Sequence, residues 1–251
     1  MNKFFVGIAL AALCFSCTQQ RYAVSSMKGQ RYSLVAANYQ NTDPAMQQLI
    51  SKYKGHLDKE MGQLVGVASQ NMPLGRPESL LTNFTSDAML EIAKDKMTDN
   101  DCDLAFVNVH GHRADLAKGN ITVGNVYEVY SFDNTLALAK LKGDVLMKIF
   151  ESYAKMGGAG ISGNARLKVK DGKLVSATLN GKPIDKNKVY TVVTLDYLAD
   201  GNDGMEAMKE AVEIKKTSVT LRDGMMEYIK EQTAKGKEIS SVLDGRITIE
   251  K

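Results

Sequence analysis

Four polar side chains fall within six residues in the run Asn108-Val109-His110-Gly111-His112-Arg113. Asn108 offers a donor and an acceptor on one planar amide, and Arg113 offers a planar cation for anions. Downstream, Ser131-Phe132-Asp133-Asn134 places a single aromatic ring in a turn, where it can stack on a flat ligand ring. These residue types suit a ligand site. They suit equally a capped strand end with one core phenylalanine, and the residues alone leave both readings open. His110 and His112 are spaced like a metal-binding pair, because alternate residues of an extended segment point the same way. The third histidine, His56, sits in a predicted helix, and no carboxylate-histidine motif accompanies the pair. A polar loop is therefore preferred to a metal site.

The elements that must position these residues follow from apolar periodicity. Leu104–Val109 reads as a short buried strand running into the His-Gly-His-Arg turn, and Leu136–Leu141 as an apolar strand after the Phe132 turn. Gly143-Asp144 opens a helix with Val145, Leu146, Ile149 and Phe150 inward. Upstream, Tyr32–Ala37 and Gln63–Ala68 read as strands. Asp43-Pro44 opens a helix whose stripe of Met46, Leu49, Ile50, Tyr53 and Leu57 predicts a core face. A second helix carries Leu81, Phe84, Ala88, Met89 and Ile92. The glycine-rich run 156–163 lacks the Lys-Ser/Thr ending of a phosphate loop and reads as structural. Ala165–Val169, Leu174–Leu179 and Tyr190–Leu195 read as strands, with Asp171-Gly172 and Asn180-Gly181 as hairpin turns, and Val219–Gln232 as a helix. The order predicts an α+β domain, a mixed β-sheet with packed helices.

The chain has 251 residues, 44% of them hydrophobic and 24% charged, with a formal charge of +3. So small a charge argues against nucleic-acid or membrane-surface binding driven by bulk electrostatics. Lys3 followed by the apolar run Phe4–Phe15 reads as a secretory signal too short to span a bilayer. Ser16-Cys17 resembles a lipoprotein cleavage site. That divides the chain into a signal at 1–16, a polar tether at 17–28 with Cys17 as the lipidated residue, and a domain at 29–251. The expected location is a bacterial cell envelope, periplasmic or on the outer membrane. A plain secretory cut remains the alternative. Cys102 is then alone, without an intramolecular disulfide partner, and the aspartates beside it disfavour its thiolate.

The ordered segments Asn108-Val109-His110-Gly111-His112-Arg113-Ala114-Asp115, Tyr127-Glu128-Val129-Tyr130-Ser131-Phe132-Asp133-Asn134-Thr135, Tyr197-Leu198-Ala199 with Asp203-Gly204, and Gly245-Arg246-Ile247 resemble the C-terminal domain of the 5'-nucleotidases. The resemblance runs in order through nearly all of the chain after the leader. In that family two aromatics sandwich the nucleobase while Asn, Arg and Asp hold ribose and base edges. It implies substrate-binding roles for Asn108, Arg113, Phe132, Tyr197 and Asp203, and for Arg76 as the upstream arginine. Asn83 and Asp87 match an Asn and an Asp near the start of the family's helix. Val109, His110 and His112 stand where the family has Gly, Gly and Ile, and Ser131 stands where it has Pro.

The family's metal-ligand motifs, Asp-x-His, Gly-Asp-x-x-Asp and Gly-Asn-His-Asp/Glu, do not occur in this sequence. The resemblance therefore implies no cofactor and no catalytic residue on this chain, with the divalent metals on a partner metallophosphatase chain. The leading expectation is a nucleoside- or nucleotide-recognition subunit of a 5'-nucleotidase-type phosphohydrolase in nucleotide catabolism. The alternatives are a stand-alone, non-catalytic nucleotide-binding lipoprotein and, last, a hydrolase acting through the His-Gly-His loop.

Overall fold

The computed structural model describes residues 22–33, 35, 43–98 and 101–250. The expected signal, Cys17 and the first part of the tether lie outside these residues, as does half of the expected strand at 32–37. Residues 22–33 carry no helix or strand. The chain divides into two units, residues 1–50 and 51–251.

Helix α1, Pro44–Met61, begins where Asp43-Pro44 predicts, and the Asp43 carboxylate accepts from the Ala45 amide at 2.9 Å. Its apolar stripe corrects the expected core face. Met46, Leu49, Ile50, Tyr53 and Leu57 are between 45% and 60% exposed. Helical spacing shows that apolar residues share one side; it does not show that anything covers that side.

The second unit is built on three sheets. Strands β1 (Leu64–Ala68) and β3 (Gly119–Thr122) form an antiparallel pair. The central sheet uses β2 (Leu104–Val107), β4 (Thr135–Lys142), β5 (Gly160–Ile161), β9 (Val189–Leu195) and β10 (Glu213–Thr220), in the order β10-β4-β9-β2-β5. It is mixed: β2 runs parallel to β9, while β4 runs antiparallel to it through seven residue pairs from Leu136↔Leu195 to Lys142↔Val189. The third sheet has the order β11-β6-β7-β8, from β6 (Ala165–Lys170), β7 (Lys173–Leu179), β8 (Lys182–Pro183) and β11 (Ile247–Glu250). Its hairpins turn at the predicted dipeptides, with φ of 50° and 70° at Asp171-Gly172 and 51° and 74° at Asn180-Gly181. Positive φ at both central residues matches the right-handed twist of the flanking strands.

Burial explains the strand sequences. All of β2 is buried, so Leu-Ala-Phe-Val shows no alternation. Helix α2 (Leu80–Lys96) packs on β2, β5 and β9; α3 (Val123–Val129) links β3 to the Phe132 turn; α4 (Gly143–Lys155) packs on β4 and β7. A short α5 (Asp196–Ala199) follows β9, and α6 (Leu221–Ala234) packs on α2 and β1. The predicted inner faces of α2 and α4 are buried. Strand β10 is absent from the periodicity reading because it is a sheet edge whose eight residues are exposed or half-buried. Cys102 is buried, and burial first, then the charge of Asp103, pushes its thiol up to about 12.

Candidate functional site

Strand direction places the site. Strands β2 and β9 are parallel and β4 is antiparallel to β9, so the ends of β2 and β9 and the start of β4 share one edge of the sheet. Asn108 follows β2, Phe132 lies just before β4, and Tyr197 lies just after β9. Carboxyl ends of neighbouring strands are where open α/β sheets hold ligands. Thr135 ties two of the segments together by donating to the Asp196 carboxylate at 3.0 Å.

Asn108 and Asp203 form the polar centre. The Asn108 amide Nδ2 donates to Asp203 Oδ2 at 2.8 Å. A carboxylate only accepts, so this bond fixes the amide orientation and turns Asn108 Oδ1 the other way. That oxygen lies against Gly111, where a Cβ would come within 2.6 Å of it. A side chain at 111 would therefore displace the Asn108 amide from this position. Asp203 adopts φ 54°, a left-handed conformation that Asp tolerates in turns. Asn202 helps fold the same loop by donating to the Tyr197 carbonyl at 2.9 Å.

The Phe132 turn is held from behind by Arg222, in the first turn of α6. Its guanidinium donates to the carbonyls of Tyr130 at 3.2 Å and Ser131 at 3.4 Å, pairs with Asp133, and lies 4.3 Å from the Tyr127 ring centroid. The side chain of Ser131 adds bonds to the carbonyls of Tyr127 and Glu128. The Phe132 ring is left 48% exposed and Tyr197 44% exposed, so neither is a core residue. The Arg113 guanidinium lies 5.7 Å from the Phe132 centroid, within cation–π range. Arg222 escaped the sequence reading. Its signal was a cation in a first helical turn, the unfavourable end of the helix dipole.

The two histidines part company, which corrects the expectation that they point the same way. His110 is exposed at the cavity. His112 is buried, with Nε2 2.9 Å from Thr85 Oγ1 and Nδ1 3.3 Å from the Val109 carbonyl. Thr85 also meets the Tyr130 hydroxyl at 2.8 Å, and the His112 and Tyr130 rings are 5.5 Å apart. The Val109 carbonyl can only accept, so the Nδ1 contact needs the proton on Nδ1, while the Thr85 hydroxyl that faces Nε2 also reaches the Leu81 carbonyl at 2.9 Å. Burial pulls the His112 pKa down to about 4. The segment turns at Gly111 instead of running extended, so alternation fails there. Among the described residues no three His, Cys, Asp or Glu side chains converge.

Asn108, His110, Gly111, Arg113, Phe132, Asn134, Tyr197 and Asp203 surround one cavity of about 270 Å³. Five sequence-predicted residues, Asn108, Arg113, Phe132, Tyr197 and Asp203, are therefore brought together. Arg76 is exposed and does not line this cavity. Asn83 and Asp87 are engaged elsewhere: Asn83 donates to Glu78 and to the Val242 carbonyl, and Asp87 pairs with Arg246. A groove of about 330 Å³ between α2 and α6 is lined by charged side chains, among them the Lys96–Glu231 pair.

The family model for the 5'-nucleotidase C-terminal domain matches residues 55–210. The chain belongs to the 5'-nucleotidase C-terminal domain family. The NAD 5'-nucleotidase of Haemophilus influenzae is 29% identical over 218 residues, covering 74% of this chain and 34% of that protein. The UshA protein of Yersinia enterocolitica is 30% identical over 200 residues, covering 76% of this chain and 35% of its own length. The chain thus spans about a third of these relatives. The solved 5'-nucleotidase precursor of Thermus thermophilus superposes with a TM-score of 0.71 at 28% identity, covering 81% of this chain and 42% of that one. Mixed sheets with packed helices are the fold of this 5'-nucleotidase C-terminal domain. Metal-dependent catalysis in the family resides in the N-terminal domain, not in the domain matched here.

Proposed function

We propose that this chain recognises a nucleoside or nucleotide for a 5'-nucleotidase-type phosphohydrolase whose metal centre is carried by a separate metallophosphatase chain. The observation that carries the reading is the pair of half-exposed rings, Phe132 and Tyr197, lining one cavity with an amide, a guanidinium and a carboxylate. The rings take the two faces of the base. Asn108 and Asp203 take hydrogen-bonding edges of base and ribose, and Arg113 takes negative charge. A two-metal centre on the partner would supply the activated water for phosphoester cleavage.

Calorimetric titration with adenosine and AMP tests the binding half. A folded protein that takes up neither would sink it. For the partner half, the purified chain with Mg²⁺, Mn²⁺ or Zn²⁺ is expected to leave AMP intact. Turnover that survives Phe132→Ala with Tyr197→Ala and disappears in His110→Ala with His112→Ala would move the chemistry onto this chain. We further propose that lipid on Cys17 anchors the protein in a bacterial envelope. The mature protein should then partition into detergent and Cys17→Ser should not; a soluble wild-type product starting elsewhere would refute the anchor.

A further inference from the structure

The nucleoside reading gives no task to the buried hydroxyl of Tyr153 on α4. The residue has no exposure, and its hydroxyl has no hydrogen-bond partner among the described residues. An unpaired buried hydroxyl is destabilising, and phenylalanine would fill the same space without that cost.

Its position is well defined. The ring meets Phe106 edge-on, with centroids 6.0 Å apart and planes at 83°. Phe106 lies on β2, two residues before Asn108. Three residues after Tyr153, Met156 packs on Gly204, where a Cβ would sit 3.7 Å from its sulfur. Gly204 adjoins Asp203. The charges felt by the Tyr153 phenol are those of Asp203 and Arg76; burial first and Asp203 second push it above its usual range, and Arg76 opposes them. The Phe106 contact on one side and the Met156–Gly204 packing on the other set Tyr153 between the strand that leads to Asn108 and the loop that carries Asp203. Asn108 Oδ1 is a second buried atom without a partner, on the amide that grips Asp203. Asn108 occupies only Oδ2 of the Asp203 carboxylate.

We propose that Tyr153 is a positioning residue for Asp203, its hydroxyl holding the carboxylate oxygen that Asn108 leaves free when a ligand seats in the cavity. A carboxylate has about four lone-pair sites, so a bond from each of Asn108 and Tyr153 leaves acceptors for the ligand. The proposal rests on the nucleoside reading of the cavity. It accounts for a tyrosine where packing alone would favour phenylalanine.

A double-mutant cycle tests it: wild type, Tyr153→Phe, Asp203→Asn and the double variant, each titrated with adenosine and melted. Asn is chosen at 203 because it tolerates the left-handed backbone there. Tyr153→Phe should melt at the same temperature or higher yet bind adenosine about five times more weakly, the worth of one hydrogen bond. In the Asp203→Asn background the same change should have less than about a twofold effect, since the oxygen it serves is gone. Unchanged affinity in Tyr153→Phe, or equal weakening in both backgrounds, would overturn the positioning role and leave the cavity reading standing. Undiminished adenosine binding by Asp203→Asn alone would remove the cavity reading and this proposal with it.

Discussion

Two arginines put the same side chain to opposite uses. Arg246, beside β11, is 3% exposed and almost fully committed. It grips Asp87 with two bonds of 2.8 and 2.6 Å, Asp244 at 3.0 Å, and the Ile161 carbonyl at 3.0 Å. Glu78 closes the cluster by accepting from the amides of Gly245 and Arg246 and from Asn83. Arg113 lies at the cavity edge, exposed, and among the described residues no acid pairs with it. Its guanidinium lies over the face of Phe132. One guanidinium joins a terminal strand to a central helix. The other keeps its donors available. A satisfied charge is part of the fold, while a presented one is available to a ligand.

The largest effect should come from breaking the satisfied cluster. Arg246→Ala leaves Asp87 and Asp244 facing each other without their cation. Removing one partner of a buried pair costs about 3–5 kcal/mol, and the partial exposure of Asp87 puts this case near the low end. Denaturant titration measures the loss. Adenosine affinity of the folded fraction should not change. A loss below about 1 kcal/mol would mean that the cluster behaves like an ordinary surface pair.

His112 gives the next effect, through pH. Its ordinary value of 6.5 holds in the unfolded chain and about 4 in the fold. Above pH 6.5 neither state binds the proton, and the residue contributes no pH dependence. As pH falls from 6.5 towards 4, the unfolded chain takes up a proton that the fold refuses, so stability declines. Below 4 both states are protonated and the loss levels off. The shift corresponds to about 3 kcal/mol at most. Carboxylates titrate in part of this range, so the quantity to compare is the slope of wild type against His112→Gln. Equal slopes from pH 6.5 to 4 would show that His112 takes its proton in the folded state.

The same contrast explains what the sequence could tell. Strands β2, β4, β6, β7 and β9 were legible because each buries a run or an alternating face. The residues at their ends were legible as a group by family resemblance; residue chemistry alone left Phe132 open to a core reading. The partners were not legible. Asn108 bonds an aspartate 95 residues away, and Arg222 grips a turn 89 residues upstream at Asp133. No local period encodes such pairs. Tyr153 is buried with the inner face of α4 but has no place in the periodicity reading, which does not see a hydroxyl. The stripe on α1 misled for the converse reason: a pattern reports a face and not its cover.

Removing the rings sharpens the comparison at the cavity itself. Phe132→Ala or Tyr197→Ala should weaken nucleoside binding by about 1–3 kcal/mol each, and the pair should nearly abolish it. Because both rings are half-exposed, each change should alter stability by only about 0.5 kcal/mol. Phe106→Ala, in the fully buried β2, is the control and should cost about 3–5 kcal/mol of stability. Melting curves recorded beside the titrations separate the two kinds of loss. A strongly lowered melting temperature with unchanged binding would return Phe132 to the core.

Arg113→Ala should have the smallest effect, and its value lies in a ratio. Against adenosine the arginine offers a cation near the Phe132 ring and a donor to an uncharged ligand, together worth about 0.5–1 kcal/mol at an exposed site. AMP adds a phosphate, and a charge-assisted bond from the guanidinium is about twice as strong as a neutral one. If Arg113 reaches the phosphate, the variant should lose more AMP affinity than adenosine affinity, and added salt should reduce the difference. If it serves the base or ribose alone, both ligands should weaken equally, and salt should matter little. Stability should be unchanged in either case, because no buried partner is left behind. A clear drop in melting temperature would show that Arg113 supports the fold as Arg246 does, and the contrast between the two arginines would fail.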